Sequence, residues 1–316
     1  MKLPELAQKL KNESAVALFC HIRADGDALG SSCALKLALE KVGVKAKVIS
    51  PDPVPARFCF LEEMKNVSSV LDFECSALVA VDCGDVTRLG DFAEKFIKHK
   101  NTYNIDHHIS NNGYAKFNYV VDNAANSENV YQLIKLLDVQ IDKDMANLLA
   151  MGIVTDTGNF RHKNVTPQTL AIASDLVSLG ADLNKIYYYM FTMQTKARAK
   201  LFGLAMSKIR YFHSDRLAVT LVSKSDIELC GAKPEETEGF IDFIMGIDTV
   251  EVGACLMEIG RNKYKVSFRS KSADVNAVAM TFGGGGHTLA SGCQIQGEYE
   301  EIVDKISFAV SRELID

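Results

Sequence analysis

Four short clusters of acidic and histidine residues in this 316-residue sequence carry the residue types that bind divalent metal ions. Each cluster lies where an apolar segment ends. Two aspartates on one turn could be ordinary capping residues, but four such clusters in order favour a metal site. The clusters are His21-Ile22-Arg23-Ala24-Asp25-Gly26-Asp27, Val81-Asp82-Cys83-Gly84-Asp85, Asp106-His107-His108 and Thr155-Asp156-Thr157-Gly158-Asn159-Phe160-Arg161.

The charge of these clusters predicts how many ions they hold. Four carboxylates packed together without cations would repel one another, and two divalent ions balance four negative charges. Carboxylate and imidazole ligands without thiolate favour manganese, because magnesium prefers oxygen alone and structural zinc often takes cysteine. The eight cysteines form no C-x-x-C pair that would indicate a zinc or redox site. The four carboxylates are those of Asp25, Asp27, Asp82 and Asp156.

Strands and helices alternate in the first half of the chain, and they must position these clusters. Such alternation predicts an α/β fold with a mainly parallel sheet and helices on both faces. Ligands bind beyond the carboxyl ends of the strands in these sheets, so His21, Asp82 and Asp106 should meet at one edge. We predict strands at 16–22, 47–50, 77–82 and 102–106, a loop at 23–30, and helices at 31–43, 87–100, 127–138 and 142–153.

The second half of the sequence predicts a helical connection followed by a smaller C-terminal α/β domain. The length of the chain favours two domains, which we place at 1–190 and 216–316 with a helical connector at 191–215. The signals in the second domain are a strand at 217–222, a hairpin of 250–259 and 264–269, a helix from Asp274, a glycine loop and a final helix at 299–314.

The bulk composition limits the partners of the chain. Its formal net charge of -5 argues against binding long duplex nucleic acid, because that affinity comes from many Lys and Arg contacts. A small anionic substrate stays compatible. No apolar run is long enough to cross a bilayer, and the N-terminus resembles an amphipathic helix rather than an export signal. We expect a cytoplasmic protein without a membrane partner.

The motifs together resemble the DHH phosphoesterases, a family named for the tripeptide at Asp106-His107-His108. The C-terminal stretch Gly283-Gly284-Gly285-Gly286-His287, with Arg269-Ser270 before it and Ala290-Ser291-Gly292 after it, resembles the DHH-associated substrate domain of that family. The T-D-T-G-x-F-R element and the compact length are most similar to the branch that acts as nanoRNase and 3'-phosphoadenosine-5'-phosphate (pAp) phosphatase.

The resemblance implies a ligand set and a mechanism. His21, Asp25 and Asp82 would hold one metal ion. The second ion would be held by Asp27, Asp82, His107 and Asp156, with Asp82 as the bridge. Two such ions activate a water molecule as the nucleophile. His108 would contact the substrate or donate a proton to the leaving oxygen.

The same resemblance implies that the second domain binds substrate. The backbone N–H groups of Gly284, Gly285 and Gly286 could approach a phosphate closely, although a flexible surface loop is the alternative. His287, Arg269 and the adjacent Ser270 would add donors for the phosphate. Arg161 is a further phosphate contact, with a structural ion pair as the alternative interpretation.

The leading functional hypothesis is hydrolysis of short oligoribonucleotides and of pAp. A phosphodiesterase acting on pApA or on cyclic dinucleotides is the main alternative. A RecJ-type single-strand exonuclease and a manganese inorganic pyrophosphatase rank lower, because the compact acidic chain offers no long groove and its glycine motif differs from that of the pyrophosphatases. A nonenzymatic nucleotide-binding module is disfavoured because every expected ligand position is filled. A homodimer is compatible with the sequence.

Overall fold

The computed structural model describes residues 1–314 and divides after Met193 into two units, each with its own sheet. Most residues of the predicted connector at 191–215 fall in the second unit. The domain limits drawn from the sequence otherwise stay a prediction. No helix in the described part of the chain is long and apolar enough to span a bilayer.

The first unit is built on a sheet of five parallel strands in the order β2-β1-β3-β4-β5. β3 and β4 are buried along their whole length, which explains why they read as continuous apolar runs. Four of the strands were predicted. The strands are β1 (Ala15–Phe19), β2 (Lys45–Ile49), β3 (Ala77–Val81), β4 (Thr102–Asp106) and β5 (Phe117–Val120).

Helices cover both faces of this sheet, which confirms the predicted fold class. Val16 and Leu18 pack with the helices of one face, whereas Phe19 packs on the other face with Leu89 and Phe96. The helices are α1 (Leu3–Lys11), α2 (Gly26–Lys41), α3 (Ala93–Lys98), α4 (Asn126–Leu136), α5 (Lys143–Asp156), α6 (Pro167–Ser178) and α7 (Leu183–Tyr187), with 3₁₀ turns at Ala56–Phe58, Glu62–Asn66 and Val86–Phe92 and a π-helical turn at Tyr188–Thr192.

Two predicted boundaries in the first unit were wrong. α2 begins at Gly26 rather than at residue 31, because the carboxylate of Asp25 accepts hydrogen bonds from the N–H groups of Asp27 and Ala28 and caps the helix there. The segment predicted as one helix at 87–100 is instead a 3₁₀ turn followed by α3. Gly90, within the 3₁₀ turn, has a φ of 59°, which interrupts a regular helix.

Close packing between α2 and α5 brings the ends of these helices together. A side chain at Gly30 would overlap the carbonyl oxygen of Leu148. Similarly, a side chain at Gly152 would overlap Ser127 and Asp27. Glycine at these positions allows the two backbones to approach, so the start of α2 lies next to residues of α4 and α5.

The second unit contains a six-stranded mixed sheet in the order β10-β11-β9-β8-β7-β6, in which only β7 and β8 pair in parallel. The predicted hairpin is present as β8 and β9. β6, β10 and β11 were not predicted. The strands are β6 (Arg210–Phe212), β7 (Leu217–Val222), β8 (Val252–Gly260), β9 (Lys263–Ser270), β10 (Gly285–His287) and β11 (Ala290–Gln296), and the helices are α8 (Lys196–Ser207), α9 (Lys224–Cys230), α10 (Phe240–Met245), α11 (Val275–Met280) and α12 (Tyr299–Ser311).

Candidate metal centre

The strand order of the first unit creates the crevice in which the predicted ligands meet. β2 lies on one side of β1 and β3 on the other, so the chain changes direction at the pair β1 and β3. In open α/β sheets this switch point is the usual ligand site. His21 follows β1 and Asp82 follows β3, which places both beside the crevice. β4 ends at Asp106 and leads directly into the two histidines.

All six residues predicted as metal ligands are brought together by the structure. In each of three groups, one potential ligand atom from every member lies within 4.8 Å of the others. Two of these groups match the predicted sets closely, and the third shows that His108 also borders the cluster. The groups are His21 with Asp25 and Asp82, Asp27 with His107 and Asp156, and Asp82 with His107 and His108.

The two oxygens of Asp82 face different groups. Oδ2 lies 3.8 Å from Nε2 of His21, and Nε2 of His21 is in turn 3.8 Å from Oδ2 of Asp25. Oδ1 lies 3.3 Å from Nε2 of His107, which is also 3.3 Å from Oδ2 of Asp156. One carboxylate can therefore serve both groups, as a bridging ligand must.

Burial makes the negative charge of the cluster costly without cations. Asp27 is fully buried and Asp82 is 2% exposed. Burial and the neighbouring charge of Asp82 raise the pKa of Asp27, and burial together with the charges of Asp27 and Asp82 raises the pKa of Asp156. Burial lowers the pKa of His107, but the adjacent carboxylate of Asp82 and the charge of Asp27 outweigh it, so this pKa is raised.

The residues present fit divalent metal ions. Among residues 1–314, Oδ1 of Asp82 is one of three buried side-chain atoms without a hydrogen-bond partner. A buried polar atom without a partner is rare in a native protein and calls for an explanation such as an ion. The donors are carboxylate oxygens and imidazole nitrogens without thiolate, the set that suits manganese and related ions.

Residues outside the predicted set hold the ligands in place. The backbone N–H of Asn126 donates to Oδ2 of Asp27 at 2.5 Å, and the N–H and hydroxyl of Ser127 donate to Oδ1 at 2.9 Å and 2.5 Å. Nδ1 of His107 lies 3.0 Å from the carbonyl oxygen of Asn123. A proton on Nδ1 leaves the lone pair of Nε2 for a metal ion. Sequence reasoning missed these contacts because no local pattern marks them.

His108 is oriented by the aspartate of its own tripeptide. Oδ1 of the buried Asp106 lies 2.7 Å from Nδ1 of His108, and Asn111 donates to Oδ2 at 2.6 Å. Burial opposes ionisation of Asp106, but the hydrogen bonds from His108 and Asn111 outweigh it and lower its pKa. His108 is half-buried, and its Nε2 is the ring nitrogen left for a substrate.

The fourth motif makes a tight left-handed turn after Asp156. Gly158, Asn159 and Phe160 have φ values of 54°, 59° and 62°, and such values are unusual for residues other than glycine. Arg161 follows this turn, and its Nε donates to the carbonyl of Gly158 at 2.9 Å. Arg161, the predicted phosphate contact, is exposed and follows the candidate metal ligand Asp156 by five residues.

The predicted substrate residues of the second unit gather at one end of its sheet. Arg269 and His287 are both paired with Ala290 of β11, and the N–H of Ser270 donates to the carbonyl of Leu289. Paired residues of neighbouring strands share a face of the sheet, so Arg269 and His287 lie on the same face, and Ser270 follows Arg269 at the end of β9. Arg269 itself donates to the carbonyl of Phe268 at 3.1 Å.

Two backbone N–H groups of the glycine stretch make hydrogen bonds within the second unit. The N–H of Gly284 donates to the carbonyl of Ala279 at 2.9 Å, and the N–H of Gly286 donates to Oδ1 of Asn276 at 2.8 Å. These two backbone donors are engaged within the unit, and phosphate binding by the glycine stretch stays a prediction. Residues 285–287 form β10, and side chains at 284 or 286 would overlap β11. The glycines are needed for this close pairing.

Comparison with known proteins identifies the class to which this fold and site belong. Residues 15–153 match the DHH family, N-terminal domain, and residues 227–312 match the DHHA1 domain. The chain belongs to the DHH family of phosphoesterases and is a hydrolase that acts on phosphoester bonds.

Two named relatives are similar to this chain over nearly its whole length. The bifunctional oligoribonuclease and PAP phosphatase NrnA of Thermus thermophilus is 31% identical over 319 residues, which cover 99% of this chain and 94% of the relative. The protein of the same name from Bacillus subtilis is 26% identical, with 92% of each chain covered.

Solved structures share the fold. An exopolyphosphatase-related protein from Bacteroides fragilis superimposes with a TM-score of 0.83 at 24% identity, covering 98% of this chain and 95% of the other. Exonuclease RecJ bound to manganese has a TM-score of 0.52 at 15% identity, covering 99% of this chain and 95% of the other.

Proposed function

We propose that this chain is a manganese-dependent phosphoesterase that hydrolyses short oligoribonucleotides and pAp. The observation that carries the proposal is the position of Asp82, whose two oxygens face two separate groups of ligands. Relatives that span nearly the whole chain carry names with the same two activities. The substrates would be short RNA and small phosphorylated nucleotides.

The ligand assignment follows the two groups. His21, Asp25 and Asp82 would hold one ion, while Asp27, His107 and Asp156 would hold the other together with Asp82. When bound, divalent ions lower the pKa of a coordinated water and neutralise charge on the phosphoryl group. The unpartnered Oδ1 of Asp82 supports this arrangement.

Side chains near the cluster, and others in the second unit, would bind the substrate and supply a proton. With Nδ1 of His108 bound to Asp106, its Nε2 can carry the proton that the leaving oxygen needs. Arg161 would bind a phosphate near the cluster. In the second unit, Arg269, Ser270 and His287 would bind a terminal phosphate, and the compact glycines 284–286 would let that phosphate approach the backbone.

A substrate panel tests the proposal. Metal-stripped protein is assayed with manganese or magnesium restored on pAp, RNA of two to five nucleotides, pApA, a cyclic dinucleotide and long single-stranded DNA, and the products are identified by chromatography. We expect manganese-dependent release of nucleoside monophosphates from short RNA and of phosphate from pAp. Preferential cleavage of pApA, the cyclic dinucleotide or long DNA would favour the corresponding alternative.

Asp82→Ala is the matched inactive control for this panel. Removing the bridging carboxylate should abolish turnover and reduce manganese binding while the protein stays folded, because a buried like-charge repulsion is removed along with the ligand. Circular dichroism checks the fold. A folded Asp82→Ala protein with undiminished manganese-dependent activity would refute the assignment.

A further inference from the structure

Arg88 lies against the first group of ligands. It belongs to the 3₁₀ turn Val86–Phe92, and its carbonyl oxygen accepts the N–H of Ile22 at 2.7 Å. Its Nη2 lies 2.9 Å from Nδ1 of His21. Within the described part of the chain this half-buried guanidinium forms no ion pair. Its recorded side-chain contact is therefore with a candidate metal ligand rather than with a carboxylate.

Nδ1 of His21 has two neighbours, and one requires a proton on this nitrogen whereas the other requires its lone pair. The carbonyl oxygen of Ile22 lies 2.8 Å from the same nitrogen that Arg88 approaches. A protonated Nδ1 donates to this carbonyl and leaves the lone pair of Nε2 free. An unprotonated Nδ1 accepts from Arg88, and the proton is then on Nε2. The two arrangements exclude each other because the guanidinium has donors only.

Only the first arrangement suits a metal-binding His21. Imidazole binds metal through a lone pair, and its other ring nitrogen usually donates to a carbonyl or carboxylate. Ligation through Nε2, which faces Asp25 and Asp82, therefore directs the Nδ1 proton to Ile22 and releases Arg88. The released group is a planar cation with free donors beside the ligand cluster, which is the chemistry that recognises phosphate.

We infer that Arg88 binds a phosphate of the substrate at the edge of the group formed by His21, Asp25 and Asp82. This inference rests on the proposed function and deepens it by assigning phosphate recognition to the unit that holds the metal ligands. Arg88 is then a substrate-binding residue that becomes available when His21 is a ligand, and it is not itself required for metal binding.

Equilibrium binding tests this role without turnover. Full-length wild-type protein is compared with Arg88→Gln, Arg88→Lys and the control Arg57→Gln. The control removes an equal charge from the same unit at an exposed side chain that packs over Phe58. Each metal-stripped protein is titrated with manganese and the free ion is followed by electron paramagnetic resonance. The manganese-loaded proteins are then titrated calorimetrically with adenosine 5'-monophosphate.

We expect Arg88→Gln to bind manganese within about twofold of wild type and to raise the Kd for adenosine 5'-monophosphate by ~10-fold, the order of one lost charge-assisted contact. The Kd of Arg88→Lys for the nucleotide should fall between those of wild type and Arg88→Gln, because lysine keeps the charge and loses the planar fork. Arg57→Gln should match wild type in both titrations.

Two results would overturn the inference. Weakened manganese binding in Arg88→Gln would show that Arg88 holds His21, and an unchanged Kd for the nucleotide would show that it makes no phosphate contact. Failure of the proposed function has a different signature, namely no manganese-dependent turnover of pAp or short RNA by the wild-type protein. The nucleotide titration needs no turnover, so the two failures can be told apart.

Discussion

Ser127 donates its hydroxyl hydrogen bond to Oδ1 of Asp27 at 2.5 Å across 100 residues of sequence. The first backbone N–H groups of α4 bind the same carboxylate, so Asp27 sits where the helix terminus favours negative charge. α4 thereby fixes the orientation of a side chain that belongs to α2. The geometry of the candidate metal centre therefore depends on this packing.

Ser127→Ala should weaken manganese binding by ~10-fold, the lower end of the range for losing a partner of a metal ligand. The N–H groups of Asn126 and Ser127 remain, so Asp27 loses its orientation only in part. Titration of metal-stripped protein with manganese measures the effect. Ser178→Ala is the control, because its hydroxyl bonds only to the carbonyl of Asp175 on an exposed surface. Equal manganese affinity in the two variants would show that Ser127 does not position Asp27.

Asp106→Asn should lower kcat by ~100-fold, within the usual contribution of a positioned general acid, while manganese binding stays within about twofold of wild type. The carboxylate that orients Nδ1 of His108 is lost, but Asp106 belongs to none of the three ligand groups. Steady-state kinetics on pAp at saturating manganese measures kcat.

His108→Gln provides the comparison for this prediction. Two residues that act as one unit have non-additive effects, so the double variant should be no slower than His108→Gln alone. Additive losses of kcat in the Asp106→Asn/His108→Gln double variant would show that the two residues do not act together. A normal kcat in Asp106→Asn would show that Asp106 does not position His108.

The sequence alone was sufficient to predict the site residues that lie at the end of an apolar run. His21 and Asp82 follow buried strands and Asp106 ends one, and parallel strands bring their carboxyl ends to one edge. β5 was missed because it is only four residues long and Asn118 interrupts its apolar residues. The contact of Ser127 with Asp27 is tertiary, so no spacing in the sequence could have revealed it.

The glycine stretch shows a different limit of sequence reasoning. Consecutive glycines are compatible with a phosphate-binding loop, a flexible loop or a close backbone approach. The structure shows the close approach, because Gly284 and Gly286 lie against β11 with no room for a side chain. Asn276, which holds Gly286, is ten residues away, and its role depends on how α11 packs.

Lys208→Met should destabilise the second unit by about 2 kcal/mol at pH 7. This is less than the cost of breaking a fully buried ion pair, because Lys208 is partly exposed and the N–H of Ser223 still binds Asp226. Burial opposes ionisation of Asp226, but the hydrogen bond from Lys208 outweighs it and lowers the pKa. A lowered folded pKa gives stability that is present above the unfolded value of about 3.9. That stability is lost as the pH falls through the folded pKa.

The difference between wild type and Lys208→Met should therefore shrink between pH 5 and pH 3, roughly the window around and below the unfolded pKa. Thermal unfolding at several pH values measures it. Lys65→Met is the control, because its pair with Glu62 is exposed and such pairs contribute little. A difference that does not vary with pH would show that the ionised form of Asp226 is not what Lys208 stabilises.

Gly152→Ala should destabilise the first unit by about 2 kcal/mol, as overpacking a close helix contact does, and should also weaken manganese binding. The added methyl group would overlap Ser127 and Asp27, so it displaces a ligand as well as a helix. Gly203→Ala is the matched control, since it lies in α8 with open space around it and should gain roughly 0.5–1 kcal/mol from helix propensity. Thermal unfolding and manganese titration of both variants separate the two effects. Normal manganese affinity in a destabilised Gly152→Ala protein would show that the helix contact and the ligand geometry are independent.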